Sequence, residues 1–149
     1  MYTEYSSERI IVMEYIDGVK INEREKIKQL GFSLKEVGQS LVKIFADMIF
    51  KHGFVHCDAH PGNILIRRHP RRREDFQIVL LDHGLYRHLE PEFIRDFSNF
   101  WLSLVKFDRK GVQRHSQKLN IQDHYEYLPI IFLHRTLASN KKLGDPMTP

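Results

Sequence analysis

Two short stretches of polar residues, each attached to an apolar run, constrain the fold of this chain most strongly. The first is residues 56–63, His-Cys-Asp-Ala-His-Pro-Gly-Asn, and the second is residues 81–84, Leu-Asp-His-Gly. A helical pattern precedes the first stretch, and two β-branched runs separated by a polar segment lie between the stretches. Because an antiparallel hairpin returns the chain to its start, Asp58, Asn63 and Asp82 are expected to meet at one end of it.

The helix before the first stretch is the most clearly marked element. Ser33 and Glu36 have the spacing of a capping box. Apolar residues then recur at helical spacing, and Gly53 follows as the residue that ends the helix. The pattern predicts an amphipathic helix of about 18 residues whose apolar stripe faces a core.

The rest of the chain shows weaker patterns of apolar and polar residues that still predict secondary structure. A continuous β-branched run predicts a buried strand over Arg9–Tyr15, ended by Asp17-Gly18. Two short β-branched runs at 64–66 and 78–81 predict a hairpin whose polar tip is 67–77. A helix is predicted to start at Glu90-Pro91-Glu92, and two more helices are predicted at 108–119 and 124–137, the one at 124–137 being broken at Pro129. Residues 141–149 are predicted to be a frayed tail.

Composition places the chain among ordinary globular proteins. Of its 149 residues, 42% are hydrophobic and 28% are charged, which argues against intrinsic disorder. The net charge of +4 suits an anionic ligand or a membrane surface and does not call for nucleic acid. The single cysteine, Cys57, excludes an intramolecular disulfide and fits a reducing compartment. No apolar run approaches the roughly 20 residues of a membrane span, and the first residues carry no secretory signal.

The residue types in the two polar stretches are those of phosphoryl transfer. A carboxylate such as Asp58 can accept the proton of an acceptor hydroxyl, and the amide oxygen of Asn63 and the carboxylate of Asp82 are ligands that Mg²⁺ prefers. An aspartate and an asparagine five residues apart recur by chance, but here a helix precedes them, a strand follows, and the second strand ends in apolar-Asp-x-Gly. The combined pattern predicts a phosphotransferase-like site.

Three other interpretations of this region are weaker. A structural zinc site usually needs two separated pairs of ligands, and the His/Cys/Asp residues form one cluster. Cys57 has no separate base and orienting group, so we interpret it as a small packing residue rather than a nucleophile. The arginine run 67–73 could meet acidic lipid headgroups or nucleic acid, but Glu74 and Asp75 end it, so we interpret it as a solvated hairpin tip.

These motifs resemble those of the UbiB-type atypical kinases, also called aarF-domain-containing kinases. The similarity spans about Arg9 to about Leu119, and its most specific pieces are residues 54–65 and 80–85. The family pattern is His-x-Asp-Pro-His-Pro-Gly-Asn. Ala59 takes the place of a proline here, which changes loop stiffness and removes no ligand. The Asp-His-Gly form of the second motif is most similar to that of the mitochondrial animal members.

The resemblance implies an α+β fold, namely the C-terminal lobe of a protein kinase-like domain, mainly α-helical with a catalytic-loop β-hairpin. It implies that Asp58 is the catalytic-loop aspartate and that Asn63 and Asp82 are the metal ligands. The implied cofactors are Mg²⁺ and ATP, used in the full-length protein.

A nucleotide-binding hinge is also implied, because Glu14, Tyr15 and Ile16 are similar to the family's hinge segment. Family members are linked to mitochondrial lipid and coenzyme Q metabolism, which implies a mitochondrial location, a lipid or protein partner, and peripheral membrane association. The sequence leaves the oligomeric state and the phosphate acceptor open.

One departure from the family bears on activity. The small lobe should precede Arg9 and is missing, together with its Gly- or Ala-rich loop, its strand lysine and its helix glutamate. We therefore expect a single partial domain over about 9–139, part of a longer protein, that alone binds ATP weakly and has no turnover. Two alternatives stay open: a non-catalytic pseudokinase module that binds a protein or lipid partner, and a small-molecule phosphotransferase of the aminoglycoside or choline kinase type. The segment His60-Pro61-Gly62 favours the UbiB-like family over the latter.

Overall fold

The structure is a computed structural model that describes residues 1–121, 125 and 127–133. The chain forms two compact units, each made of two segments. The first unit consists of Met1–Met48 and Phe54–Arg87, and the second unit consists of Ile49–Gly53 and His88–Pro149. The helices and strands in chain order are β1 (Val19–Lys20), α1 (Arg24–Gln29), α2 (Leu34–Asp47), β2 (Phe54–His56), β3 (Ile64–Arg68), β4 (Phe76–Leu80), β5 (Tyr86–His88), α3 (Pro91–Val105), α4 (Arg109–Lys118) and α5 (Leu128–Leu133).

The predicted capped helix is confirmed. The Ser33 side chain accepts a hydrogen bond of 3.4 Å from the Glu36 N–H at the start of α2. A π-helical turn, Met48–His52, extends the helix, and Gly53 then takes a φ of +62°. A left-handed residue at this position ends the helix as the sequence predicts, because glycine adopts a positive φ without steric cost.

The predicted hairpin is also confirmed, and it acquires a third strand. β3 and β4 pair antiparallel with Ile64 opposite Leu80, and β1 pairs on the other side of β3, which gives the order β1-β3-β4. β2 and β5 form a second sheet of two strands. Gly18 lets the chain approach β3 closely, since a Cβ there would lie 3.1 Å from the carbonyl oxygen of Ile66. Neither β1 nor α1 is predicted by the sequence patterns.

The core of the first unit forms around the middle strand of that sheet. The side chains of Ile27, Phe32, Val37 and Ile66 are buried together, contributed by α1, the segment after it, α2 and β3 respectively. Burial of four such side chains stabilises the unit by several kcal/mol, at about 1.5–3 kcal/mol each. The core therefore anchors β3, which begins directly after Asn63.

The arginine run is only partly a solvated tip, so that interpretation is wrong at its first two positions. Arg67 and Arg68 belong to β3. Arg67 donates to Gln77 at 2.8 Å and pairs with Glu14 at 2.6 Å. Arg68 donates to the carbonyl oxygen of Leu30 at 2.6 Å and lies 5.3 Å from the centre of a core ring, that of Phe32. A local sequence pattern does not predict these contacts, because each joins residues far apart along the chain.

The buried strand predicted for Arg9–Tyr15 does not form. Its backbone makes an isolated bridge between Ser7 and Ile10, and Val12 accepts a hydrogen bond of 2.8 Å from the N–H of Tyr2. Four of its large side chains are exposed, those of Ile10, Ile11, Met13 and Tyr15. A β-branched run becomes a strand only when a ladder partner and a covering layer are present, and the described residues supply neither here.

α3 supplies much of the core of the second unit, and it begins at the Glu90-Pro91-Glu92 segment that the sequence predicts as a helix start. Phe100 and Leu104 of α3 pack with Val112 of α4, and all three side chains are fully buried. Asp108 caps the start of α4, since its side chain accepts a hydrogen bond of 3.0 Å from the Gly111 N–H.

The predicted last helix and tail fall partly outside the described residues. Pro129 lies in the first turn of α5 and does not break the helix, because the N–H that proline lacks is not needed there. The predicted residues 134–137 of this helix and the tail 141–149 lie outside the description. In the described ranges every helix is too short or too polar to span a lipid bilayer.

Candidate active site

The loop between β2 and β3 closes on itself through short hydrogen bonds. Pro61–Asn63 forms a 3₁₀ turn that His60 caps, since its Nδ1 accepts a hydrogen bond of 3.0 Å from the Gly62 N–H. The Asn63 N–H donates to the carbonyl oxygen of His60 at 2.9 Å. The Asn63 side-chain Nδ2 donates to the carbonyl oxygen of Asp58 at 3.2 Å. The two predicted site residues of this loop are therefore held together by the loop's own bonds.

His56 joins this loop to the segment that carries Asp82. The imidazole is buried, and its Nδ1 accepts a hydrogen bond of 3.1 Å from the Asp58 N–H. A nitrogen that accepts carries no proton, so the proton is on Nε2, which donates to the carbonyl oxygen of Leu81 at 3.1 Å. The Leu81 N–H in turn donates to the carbonyl oxygen of Asn63 at 2.8 Å. One buried ring thus connects both polar stretches.

Asp82 has an unusual backbone conformation, with a φ of +55°. A non-glycine residue in the left-handed region costs of the order of 1–3 kcal/mol, and such residues are concentrated at functional sites. Gly84 donates its N–H to Asp82 Oδ1 at 3.3 Å, and a Cβ on Gly84 would lie 3.2 Å from that oxygen. The left-handed residue of this motif is therefore the aspartate and not Gly84, whose φ is not positive.

Tyr86 lies beside this segment and is a residue that the sequence reasoning missed. Its ring stacks on Phe54 with centroids 4.5 Å apart and on His83 with centroids 5.7 Å apart, and it contacts His56 at 5.0 Å. Its hydroxyl lies 2.8 Å from His83 Nδ1. An aromatic residue two positions after the Asp-x-Gly motif is the one signal in the sequence that could have indicated it.

The side-chain oxygen atoms of Asp58, Asn63 and Asp82 are of the kind that Mg²⁺ prefers. Because Nδ2 of Asn63 is engaged with Asp58, its Oδ1 is the side-chain atom left to face a cation, and the carboxylates of Asp58 and Asp82 are hard oxygen donors. Among the described residues, no three His, Cys, Asp or Glu side chains meet in a way that could hold a metal ion. A metal site here therefore depends on the amide of Asn63, and the residues fit magnesium better than zinc.

Among the described residues, the hydrogen bond and ion pair of the predicted hinge go from Glu14 to Arg67 of β3 and not to the loop of Asp58 and Asn63. Glu14 pairs with Arg67 at 2.6 Å, and the hydrogen bond from Arg67 lowers the pKa of this carboxyl group below its usual value. Tyr15 is 88% exposed, and Ile16 is partly buried. The hinge assignment stays a prediction.

Comparison with known proteins decides the family. The profile of the ABC1 atypical kinase-like domain matches residues 1–116. The chain belongs to this family. The AarF domain-containing kinase 1 of Drosophila melanogaster is 44% identical over 122 residues, which cover 82% of this chain and 23% of the relative. The resemblance to the aarF-domain-containing kinases is thereby confirmed, as is the kinase-like, mixed α/β character of the fold.

Other relatives are also named as kinases, at similar identity. The AarF domain-containing protein kinase 1 of Gallus gallus is 37% identical over 93% of this chain and 27% of the relative. A probable serine/threonine-protein kinase, abkD, of Dictyostelium discoideum is 38% identical over 99% of this chain and 21% of the relative. The chain thus spans about a quarter of the length of the curated relatives that it matches. No solved structure matches it.

Proposed function

We propose that this chain is part of the large lobe of an atypical, UbiB-like protein kinase or ATPase, and that the full-length protein transfers the terminal phosphoryl group of ATP. The observation that carries the proposal is the double hydrogen bond of His56, which connects Asp58 to the segment before Asp82. Membership of the ABC1 family supports it, since relatives are named as kinases.

Each of the three polar residues has a proposed role in that chemistry. Asp58 orients the acceptor hydroxyl and takes its proton. Oδ1 of Asn63 and the carboxylate of Asp82 hold Mg²⁺, which when bound neutralises the charge on the phosphate oxygens. The hydrogen bond from Asn63 to the Asp58 backbone keeps the proton acceptor and the metal ligand at a fixed separation. The role of the protein is mainly one of positioning, as expected for phosphoryl transfer.

We further propose that these 149 residues alone bind ATP weakly and do not turn it over. The proposed hinge offers Glu14, whose carboxylate is engaged by Arg67, and Tyr15, whose ring is exposed. In this arrangement the hinge is not preorganised to bind an adenine ring. Calorimetric titration of ATP with Mg²⁺ should give no affinity tighter than the millimolar range. Micromolar affinity that Asp82→Ala abolishes would overturn this part of the proposal.

The catalytic proposal itself is tested in the full-length protein. Asp58→Asn and Asp82→Asn should each lower ATP turnover by at least about a hundredfold, the size of effect typical of a general base or a transition-state ligand. His52→Phe is a matched control, since His52 lies on an exposed turn. ATP turnover that survives both aspartate substitutions would contradict the proposed roles.

A non-catalytic role as a pseudokinase module is the second candidate, favoured by the engaged Glu14 and the exposed Tyr15. In that case a protein or lipid partner binds the module, and the Asp58→Asn protein keeps its cellular function. The mitochondrial location and the lipid-linked role follow from the family resemblance and are proposed on that ground. Cell fractionation of the tagged full-length protein tests the location.

A further inference from the structure

Asp82 is held in a backbone conformation that it does not favour by itself. Its φ of +55° persists only if the neighbouring residues fix it. On its N-terminal side the fixing bonds are clear, since the Leu81 N–H donates to Asn63 at 2.8 Å and the Leu81 carbonyl oxygen accepts from His56 at 3.1 Å.

The C-terminal side has one short side-chain bond and one longer local bond. The bond between Tyr86 Oη and His83 Nδ1 is 2.8 Å, and the two rings lie nearly parallel at 19°. The bond from the Gly84 N–H to Asp82 Oδ1 is 3.3 Å, slightly longer than the usual range for such bonds. Tyr86 is itself fixed, because its ring stacks on Phe54 with an interplanar angle of 18°.

We propose that Tyr86 is a positioning residue: through its hydrogen bond to His83 it holds Asp82 in the left-handed conformation and so sets the direction of the Asp82 carboxylate. Without that bond only ring contacts restrain His83, and Asp82 relaxes towards the right-handed or extended conformations that aspartate prefers. The inference rests on the proposed function only for what the carboxylate is directed at, which is Mg²⁺.

The conformation of Asp82 gives a test that needs no metal. In Tyr86→Phe the ring and its stacking stay, and the hydroxyl is lost. The amide-to-α-proton NOE within Asp82, strong for a positive φ, should weaken in this variant and stay unchanged in Tyr5→Phe, a control at a 71% exposed tyrosine. An Asp82 NOE that is the same in Tyr86→Phe and in the wild-type chain overturns the inference. His83→Phe removes the same bond from the other partner, so the test does not depend on one variant.

Metal binding then links the conformation to the site. With Mn²⁺ as a paramagnetic probe, broadening of the Asn63 side-chain and Asp82 backbone resonances should need about fivefold more Mn²⁺ in Tyr86→Phe, the loss expected for one hydrogen bond. The double variant with His83→Phe should equal either single variant, since both remove one bond, and additive effects overturn the inference. If Mn²⁺ leaves both resonances of the wild-type chain unchanged, the magnesium assignment fails, while the Asp82 NOE still decides the role of Tyr86.

Discussion

Replacing His56 with phenylalanine should destabilise the first unit by about 2–4 kcal/mol. The imidazole is 2% exposed and makes two hydrogen bonds, one to the backbone of Asp58 and one to that of Leu81. Phenylalanine keeps a ring beside Tyr86 but leaves one N–H and one carbonyl group without a partner. Each such group costs about 1–3 kcal/mol when it is buried, and the lower half of that range applies because Asp58 is only partly buried.

Urea unfolding measures this loss. Circular dichroism reports both units, whereas fluorescence of Trp101, the single tryptophan, reports the second unit. With a slope of about 2 kcal/mol per molar urea, the midpoint of the first unit should fall by roughly 1–2 M. His52→Phe is the control for the change from histidine to phenylalanine as such: His52 lies in the second unit, and its exposed site predicts a change within about 0.5 kcal/mol in either transition.

Two results would refute this reasoning. One is a His56→Phe midpoint within the error of the wild-type value, which would mean that water replaces both bonds at no cost. The other is an equal loss in His52→Phe, which would trace the effect to the added phenylalanine rather than to the lost bonds. Hydrogen exchange gives a local check, since the Asp58 amide should lose protection in His56→Phe.

Three further predictions concern a cap, a turn and an ion pair. Ser33→Ala should lower the free energy of unfolding by about 1 kcal/mol in urea titrations, because the α2 cap is lost. Gly53→Ala should cost at least about 1 kcal/mol, measured the same way, since φ is +62° and a Cβ would lie 2.6 Å from the Ile94 side chain. The hydrogen bond from Arg95 lowers the pKa of Asp96, so the stabilisation is complete above the unfolded-state pKa and is lost as the pH falls through the lower, folded-state pKa. Unfolding at a series of pH values should therefore show a flatter acid limb below about pH 4 for Asp96→Asn than for the wild-type chain.

Elements with local signals could be predicted from the sequence. The start of α2 needs only Ser33 and the N–H of Glu36, and its end needs only a glycine at position 53. The β3–β4 hairpin likewise joins neighbours along the chain, so its β-branched runs and polar tip are enough. The close association of Asp58 and Asn63 also follows from a spacing of five residues within one loop.

Elements that depend on distant partners could not be predicted. Residues 9–15 have the composition of a strand, but the described part of the chain provides no ladder beside them. Arg67 belongs to a polar run in the sequence, and its ion pair with Glu14 joins residues 53 positions apart. The left-handed φ of Asp82 depends on bonds made by His56 and, in our proposal, Tyr86. No local pattern in the sequence encodes the contacts of Glu14 with Arg67 or of His56 with Leu81.

The self-closed loop at residues 58–63 has a consequence for length variation. Its three bonds, from Asn63 to Asp58, from Asn63 to His60 and from Gly62 to His60, each span a fixed number of residues, so one residue inserted between positions 60 and 63 disrupts at least two of them. The hairpin tip between β3 and β4 is exposed, and doubling a flexible loop costs only about 0.6 kcal/mol. An insertion series should therefore be tolerated at the tip and should abolish folding of the site at the positions between residues 60 and 63.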